Sequence, residues 1–272
     1  MKPVFLTAKA VTLKNRIITN RAYPLSSFTE RVVGSIFSII FPVFIYYFIF
    51  NCHISESFTK HANTMDYLTY IVLGQSVNII AVSTLMSVGR CMITEIREGT
   101  LDNFLLSPAS RIGYFLGSYV EQFLRSMLEF SLVLLVGITL GARIPAEKVP
   151  IIALFIIFMS LVCFCMAILI STIMVFTKDT YITQNTFFLL IDFICGVLFP
   201  VECLPHWLQY ISQLMPLTSA LKAFRNCILG NQSLQDNWIL LAYSSIISIV
   251  FLAIGYCYFR KFEKKLIENI YV

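Results

Sequence analysis

Residues 90–111, RCMITEIREGTLDNFLLSPASR, form the most polar segment between two long apolar runs of the chain. Glu95, Arg97 and Glu98 stand in its first half, and Gly99 interrupts the helical pattern that precedes it. A loop that only joins two membrane helices needs no such pattern. The organisation of the whole chain can therefore be worked out from this segment.

The second half of the segment predicts a short helix that begins at Thr100, whose hydroxyl can cap it. Three apolar residues follow at helical spacing and give the helix one apolar face: Leu101, Phe104 and Leu105. Ser107 and Pro108 either close this helix or open the next one. Two interpretations remain open, an interfacial connector between two spans or a knob that docks onto a soluble partner.

The composition of the chain is that of an integral membrane protein. Of its 272 residues, 58% are hydrophobic and only 13% are charged, whereas a soluble domain has about 25% charged residues. Because a span needs about 20 apolar residues, the length predicts an all-α polytopic membrane protein with six transmembrane helices. We expect no separate soluble domain.

The apolar runs give the expected bounds of these six spans. They are Val32–Phe50, Tyr67–Gly89, Ile112–Leu140, Pro150–Phe176, Tyr181–Phe199 and Trp238–Phe259. Pro42 is expected to kink the first of them.

Two further segments are expected to lie at the membrane surface. Residues 1–30 carry five basic residues before the first acid and predict a cytoplasmic interfacial helix that ends before Pro24. They do not resemble a signal peptide, because the apolar run starts too late and is too long. Residues 200–230 are broken by prolines and predict an extracellular hairpin segment, a re-entrant or interfacial helical pair before the last span.

The distribution of lysine and arginine predicts the orientation. Most of the 20 basic residues fall in the termini and in the segments that share their side, including residues 90–111. By the positive-inside rule both termini are expected in the cytoplasm. The membrane is expected to be the plasma or inner membrane of the cell. The net charge of +5 is spread along the chain, so it indicates membrane topology rather than nucleic-acid binding.

Four ionisable residues fall within predicted spans. Glu121, Arg125 and Glu129 recur every four residues and line one face of the third span, and Asp192 lies at a similar depth in the fifth. Such groups usually face protein or water. We favour a structural set in which Arg125 is neutralised by its helix neighbours and by Asp192; the alternative is a polar face that lines a substrate path.

No catalytic or metal-binding motif is present. The sequence contains no Walker A, H-E-x-x-H or G-x-S-x-G motif, so neither ATP hydrolysis nor those hydrolase chemistries are expected in this chain. His53 and His61 flank Glu56 without a third well-spaced ligand, so we interpret them as solvated loop residues rather than a metal site.

The eight cysteines do not form a disulfide framework. Four of them lie in apolar runs, where cysteine behaves as a small hydrophobic residue: Cys163, Cys165, Cys195 and Cys257. Cys52, Cys203 and Cys227 fall in proposed outward segments, where two of them can pair in an oxidising space.

Two stretches carry a resemblance to a known family. Residues 95–117, EIREGTLDNFLLSPASRIGYFLG, resemble the cytoplasmic coupling loop of type-2 ABC exporter permeases, and the matching residues are Glu98, Gly99, Thr100, Leu101, Leu105, Leu106, Pro108, Arg111 and Gly117. Residues 199–230 resemble the extracellular segment before the last span of these permeases, with matches at Pro200, Pro205, Trp207, Leu208, Pro216, Leu217, Ala220, Arg225 and Gly230.

The resemblance implies a single type-2 ABC transmembrane domain over residues 1–272. It implies a dimer with a second permease copy or a sister permease, and two ABC ATPase subunits that hold the ATP and Mg²⁺, so that this chain has no cofactor. The expected ATPase-coupling residues are Glu95, Arg97, Glu98, Gly99, Thr100, Leu101, Phe104 and Leu105. The exported substrate would be a drug, lipid, peptide or glycan.

Two other classes of function remain as alternatives. An intramembrane lipid-modifying enzyme would need acids, histidines or serines that converge at one depth on several spans, and the chain offers few of them. A non-catalytic membrane scaffold would leave the Glu98-Gly99-Thr100 sequence without a role.

Overall fold

The computed structural model describes residues 2–22, 24–49, 67–177, 181–230 and 232–270. Within these ranges the α-helices are α1 Lys2–Ala22, α2 Pro24–Phe44, α3 Tyr67–Arg97, α4 Leu101–Leu106, α5 Arg111–Thr139, α6 Val149–Thr177, α7 Tyr181–Ile194, α8 His206–Leu214, α9 Pro216–Ile228 and α10 Trp238–Ile270. Short helical turns at Ile45–Ile49, Ala146–Lys148 and Val201–Cys203 complete the described elements. The predicted all-α fold is confirmed.

Helix α3 forms the centre of the bundle. It packs against α5 on one side and α6 on the other, while α10 packs on the far side of α6. The core consists of fully buried apolar side chains on α3 and α6, among them Leu73, Ile80, Met92, Met159 and Met166. Helices α2 and α10 lie at the periphery, where they expose side chains such as Phe41 and Ile246. An apolar periphery around a buried core is what a bilayer solvent favours.

Five helical segments are long and apolar enough to cross a membrane. They are Phe28–Phe48, Tyr67–Arg97, Arg111–Thr139, Val149–Thr177 and Trp238–Lys264, searched over the described part of the chain. The chain is therefore a polytopic membrane protein, while the count of six spans stays a prediction.

The predicted span Tyr181–Phe199 differs most from the structure. Its helix α7 ends at Ile194, and at ~1.5 Å per residue its 14 residues reach about 21 Å, less than a hydrocarbon core of ~30 Å. The backbone then bends through Gly196, whose φ is +80°, towards Pro200. The apolar composition that predicted a straight span does not report this break.

The start of the second helix also differs from the prediction. The N-terminal helix ends at Ala22, before Pro24 as predicted, whereas α2 begins at Pro24, eight residues before the predicted start of the first span. Proline suits the first position of a helix because that position needs no N–H donor. Pro42 lies inside α2, and the wider helical turn Ile45–Ile49 follows it.

The segment 90–111 is mostly helical rather than a loop. Helix α3 continues through Glu95 to Arg97, and α4 and the start of α5 occupy most of the remainder. The prediction of a short helix between two spans is correct, and the helical pattern that precedes Gly99 belongs to α3, which continues beyond Gly89, the predicted end of the second span. Residues 200–230 form the predicted helical pair, α8 and α9.

Several predictions lie outside the described residues. These concern the loop with Cys52, His53, Glu56, Lys60 and His61 and the turn with Lys178 and Asp179. The described members of the suggested cysteine pair, Cys203 and Cys227, are free thiols.

Candidate functional site

The turn between α3 and α4 is built around Gly99. Its φ is +68°, a left-handed conformation that favours glycine, and a Cβ atom there would meet nothing within 4 Å. The amide of Gly99 donates to the Ile96 carbonyl at 3.2 Å, and that of Thr100 donates to the Glu95 carbonyl at 3.0 Å. These bonds close the end of α3 as helix C-caps do. The interruption predicted at Gly99 is therefore confirmed.

Thr100 does not cap α4 with its side chain as predicted. Its hydroxyl donates to the carboxylate of Glu95, and only its backbone carbonyl accepts from the α4 turn, from Phe104 N at 3.0 Å. The backbone of Thr100 lies in the α-helical region, with φ −97° and ψ −5°, whereas residues that cap a helix with their side chain have an extended backbone. The prediction of a threonine side-chain cap is therefore wrong.

Glu95 is the most heavily bonded carboxylate of the segment. Its side chain is buried, with 4% of the residue exposed. Besides Thr100, its carboxylate accepts from Lys14 Nζ at 2.7 Å and from Tyr114 Oη at 2.6 Å. Because Lys14 lies on α1 and Tyr114 on α5, this carboxylate joins α1, the end of α3 and the start of α5.

Arg111 holds the other side of α4. Its Nη1 donates to the Phe104 carbonyl at 3.0 Å and its Nη2 to the Leu105 carbonyl at 2.7 Å. Basic groups at a helix C-terminus satisfy carbonyls that have no partner within the helix. Its Nε donates to Oε1 of Glu263 on α10 at 2.6 Å. The guanidinium thus fixes α4 both to α5 and to α10.

The apolar face of α4 points into the protein. Leu105 is buried, and the ring of Phe104 lies 4.7 Å from the ring of Tyr114 and 4.6 Å from Cζ of Arg111. Leu106 instead is 57% exposed. Asp102 and Asn103, four and three residues before it on the same helix face, are also exposed, as are Arg97 and Glu98 at the turn between α3 and α4. The outward surface of α4 is therefore one apolar residue with a polar rim, which we call the α4 surface.

The structure divides the predicted coupling residues into two groups. Arg97, Glu98 and Gly99 are exposed beside the α4 surface, whereas Glu95 and Leu105 are buried and Thr100, Leu101 and Phe104 are half-buried. Sequence reasoning missed the residues that hold the segment in place, Lys14, Tyr114 and Glu263. Lys14 pairs with Glu95, 81 residues away, and Glu263 pairs with Arg111, 152 residues away. No local pattern in the sequence connects partners at such distances.

Helix α1 packs along the first half of α5 through two glycines. A Cβ atom at Gly113 would lie 2.6 Å from the carbonyl of Val4, and one at Gly117 would lie 2.6 Å from the carbonyl of Ala8. Thr12 Oγ1 also donates to the Gly117 carbonyl at 3.0 Å. Small residues four apart allow two helix backbones to approach closely, as between membrane helices. The basic N-terminal helix is therefore an integral part of the bundle.

The four ionisable residues predicted within the membrane form separate contacts. Arg125 makes an ion pair with Glu121, and Glu129 makes one with Arg31 on α2. Asp192 accepts a hydrogen bond from Asn78 Nδ2 at 2.6 Å. The suggested contact between Arg125 and Asp192 is not found among the described residues, so that part of the hypothesis is wrong.

These ion pairs line a polar cavity. The cavity has a volume of about 700 Å³ and lies between α1, α2, α3 and α5. Arg31, Glu121, Arg125 and Glu129 contribute to its wall together with Gln75 and Asn78. It reaches Glu95 and Glu98, so one end of the cavity lies beside the turn between α3 and α4. Charged side chains here are both paired with each other and open to a cavity.

The opposite end of the bundle is held by Arg225 on α9. It is buried, donates to the carbonyls of Gly196, Val197 and Tyr70, the last two at 2.7 and 3.2 Å, and stacks 3.5 Å from the Tyr70 ring centroid. These carbonyls belong to the bend that follows α7 and to α3. A buried guanidinium thereby fixes the broken end of α7 to the central helix.

Comparison with known proteins identifies the family. The ABC-2 type transporter family matches residues 28–229, which contain α4, the ion pairs Arg31–Glu129 and Glu121–Arg125, and the helices α8 and α9. Over 182 residues the chain is 26% identical to the probable multidrug ABC transporter permease YbhR of Escherichia coli strain K12 and to that of strain O157:H7. The alignment covers 64% of this chain and 47% of each relative, so the chain spans about half the length of these relatives. The chain belongs to the ABC-2 type transporter family.

Proposed function

We propose that the chain is the membrane-spanning permease subunit of an ATP-driven exporter. ATP and Mg²⁺ would be bound by separate ABC ATPase subunits, and the permease would work as a dimer with a second copy or a sister permease. In this proposal the protein lies in the cell membrane with both termini in the cytoplasm. The family membership supports a permease, and the multidrug permease named among the relatives supports a drug-like substrate, with a lipid, a peptide or a glycan as the other substrates proposed.

The observation that carries this proposal is how α4 is held. Its outward surface offers Leu106 within a polar rim, a composition that suits a protein interface with an apolar anchor. Its inward side is tied through Glu95 to α1 and α5 and through Arg111 to α10. A force applied to the α4 surface by an ATPase would therefore act on several helices at once.

The roles of the coupling residues follow from this arrangement. Leu106, Asp102 and Asn103 would contact the ATPase together with Arg97 and Glu98, because all five are exposed. Glu95 and Phe104 would act as positioning residues that keep α4 in place, because they are bonded or stacked within the protein. Phe104, expected from the sequence to be one of the ATPase-coupling residues, would thus act through the position of α4 rather than by contact with the ATPase.

Copurification tests the proposal. We expect the tagged full chain, co-expressed with the ABC ATPase subunits of its source genome and purified in mild detergent, to carry ATPase activity. Leu106→Glu should lower the copurified activity about tenfold, the loss expected for an interface anchor, without lowering the amount of permease. Leu234→Glu, at an exposed leucine before α10, is the matched control and should behave like the wild type. Equal activity in both variants would contradict docking at α4, and transport without any ATPase would contradict the proposed function.

A further inference from the structure

The outward side of α1 carries apolar and basic side chains in alternation. Six exposed residues lie there, each three or four residues from another of them, so they share one helix face. We call this surface the α1 face, and it consists of Leu6, Lys9, Leu13, Arg16, Ile17 and Arg21. Its three apolar side chains are 48–64% exposed. Apolar side chains that are exposed together on an ordered helix indicate an interaction surface.

The charge of the α1 face is positive throughout. The sequence of α1 contains no acidic residue. Over the described ranges, Lys9 and Arg21 form no ion pair. Arg16 acts electrostatically on Glu121 and Arg125, whose own charges already compensate each other in an ion pair. Charge complementarity therefore favours an anionic partner for this face.

The opposite side of α1 packs where a membrane-spanning helix begins. Val4 and Ala8 approach Gly113 and Gly117 in the first two turns of α5. At ~1.5 Å per residue the 29 residues of α5 reach about 44 Å, which matches the ~40–45 Å of a bilayer with its headgroups. The first turns of α5 therefore lie at headgroup level, together with the helix that packs on them. At that depth the outward side of α1 meets lipid rather than a soluble protein.

We propose that the α1 face binds anionic lipid headgroups. Leu6, Leu13 and Ile17 enter the boundary of the acyl chains, and Lys9 and Arg16 contact the negatively charged headgroups beside them. Long basic side chains suit this position because their stems cover apolar surface while their charges reach the polar region.

The leaflet that supplies the lipid follows from the orientation given under the proposed function. That orientation places α1 on the cytoplasmic side, where anionic lipids give the membrane a negative surface. The binding itself rests on the α1 face alone.

Thermal melting of the purified full chain in an uncharged detergent tests the site without any ATPase. The probes are phosphatidylglycerol and phosphatidylcholine with the same acyl chains. Phosphatidylglycerol should raise the melting temperature saturably, at a half-saturating concentration about 30-fold lower than that of phosphatidylcholine, because two basic groups near an anionic surface contribute about fivefold each. Sodium chloride at ~0.5 M should remove most of this preference, since salt screens exposed charges. Equal effects of the two lipids, or a preference that salt leaves unchanged, would overturn the inference.

Two double variants make this test specific for α1. Lys9→Gln combined with Arg16→Gln should lose most of the lipid preference and keep the melting temperature of the lipid-free protein, because both side chains are exposed. Arg260→Gln combined with Lys261→Gln removes the same charge from α10, where both groups lie over tyrosine rings, and should keep the preference. Equal losses in the two double variants would show an effect of net charge and would overturn the site.

Copurification of the first double variant distinguishes lipid from the ATPase as the partner of the α1 face. We expect it to copurify with the ATPase subunits as the wild type does. A variant that keeps the lipid preference but loses the ATPase would assign the face to the ATPase and contradict the inference. Because the melting assay contains no ATPase, its failure contradicts the lipid site alone, while a failure of the wild-type chain to copurify contradicts the proposed function alone.

Discussion

Arg111 and Glu263, 152 residues apart in the sequence, form an ion pair in which Arg111 Nε lies 2.6 Å from Glu263 Oε1. Both side chains are 16% exposed, so water screens the pair only weakly. Since Arg111 also donates to the carbonyls of α4, this single guanidinium connects α4, the start of α5 and the last part of α10.

The two partners should differ in their effect on stability. Arg111→Met removes the ion pair and the bonds to the α4 carbonyls, so we expect a loss of about 3 kcal/mol in the free energy of unfolding. Glu263→Gln keeps an acceptor for Arg111 Nε and should cost about 1 kcal/mol. Thermal melting in detergent measures both variants. A larger loss for Glu263→Gln than for Arg111→Met would contradict the role given to Arg111.

The close approach of α9 to α3 should not tolerate a side chain at position 74. A Cβ atom at Gly74 would lie 2.3 Å from Arg225 Nη2 and from the Val197 carbonyl. Gly74→Ala should therefore destabilise the protein by about 1–3 kcal/mol, as overpacking does. Gly34→Ala is the matched control, because a Cβ atom on α2 would meet nothing within 4 Å, and alanine favours the helix. Equal melting temperatures for the two variants would show that Arg225 does not hold this end of the bundle.

Much of the fold could be predicted because the apolar runs are long. The helices α3, α5, α6 and α10 lie where hydropathy places spans, and the Gly99 interruption was visible in the sequence. The second span was predicted to end at Gly89, before the polar residues of the segment, whereas α3 continues past the charged residue Glu95 to Arg97. Lys14, which comes from α1, compensates that charge, and only the tertiary structure brings the two residues together.

The failed pairing of Arg125 with Asp192 has a related cause. Counting residues from the helix ends gives the depth of a side chain in the membrane, but it does not give the direction in which the side chain leaves its helix. Arg125 lies on the cavity wall beside Glu121, while Asp192 is bonded to Asn78. The first span was predicted to begin at Val32, so Arg31 fell just before it. Because α2 begins earlier than hydropathy indicates, Arg31 lies on that helix and pairs with Glu129.

The cavity charges should behave as pairs. Arg125→Leu alone leaves the buried Glu121 without its partner, so we expect a marked loss of folded protein, of the order of 3–5 kcal/mol in stability. Adding Glu121→Leu should restore part of the yield, because it removes the uncompensated charge. Fluorescence-detected size-exclusion chromatography measures the folded fraction. A normal yield of Arg125→Leu with altered substrate selectivity would favour the substrate-path interpretation instead.

Cysteine labelling tests the proposed orientation after the natural cysteines have been replaced. Single cysteines at the exposed positions Glu147 and Gln232 should react with an impermeant thiol reagent added to intact cells. Single cysteines at the exposed positions Asp102 and Lys264 should react only after the membrane is opened. The reason is the excess of basic residues on the side of α4, because segments rich in lysine and arginine remain on the cytoplasmic side of the membrane. The reverse pattern would contradict the orientation.

The central claim is that the α4 surface contacts an ABC ATPase, and site-specific photo-crosslinking measures that contact most directly. A photoreactive amino acid would replace Leu106 in the full chain, co-expressed with the ABC ATPase subunits of its source genome, and Leu234 would carry the same group in the control. We predict that light joins position 106, but not position 234, to a polypeptide with a Walker A motif, identified by mass spectrometry. Crosslinks from position 106 that contain no such polypeptide would contradict the claim.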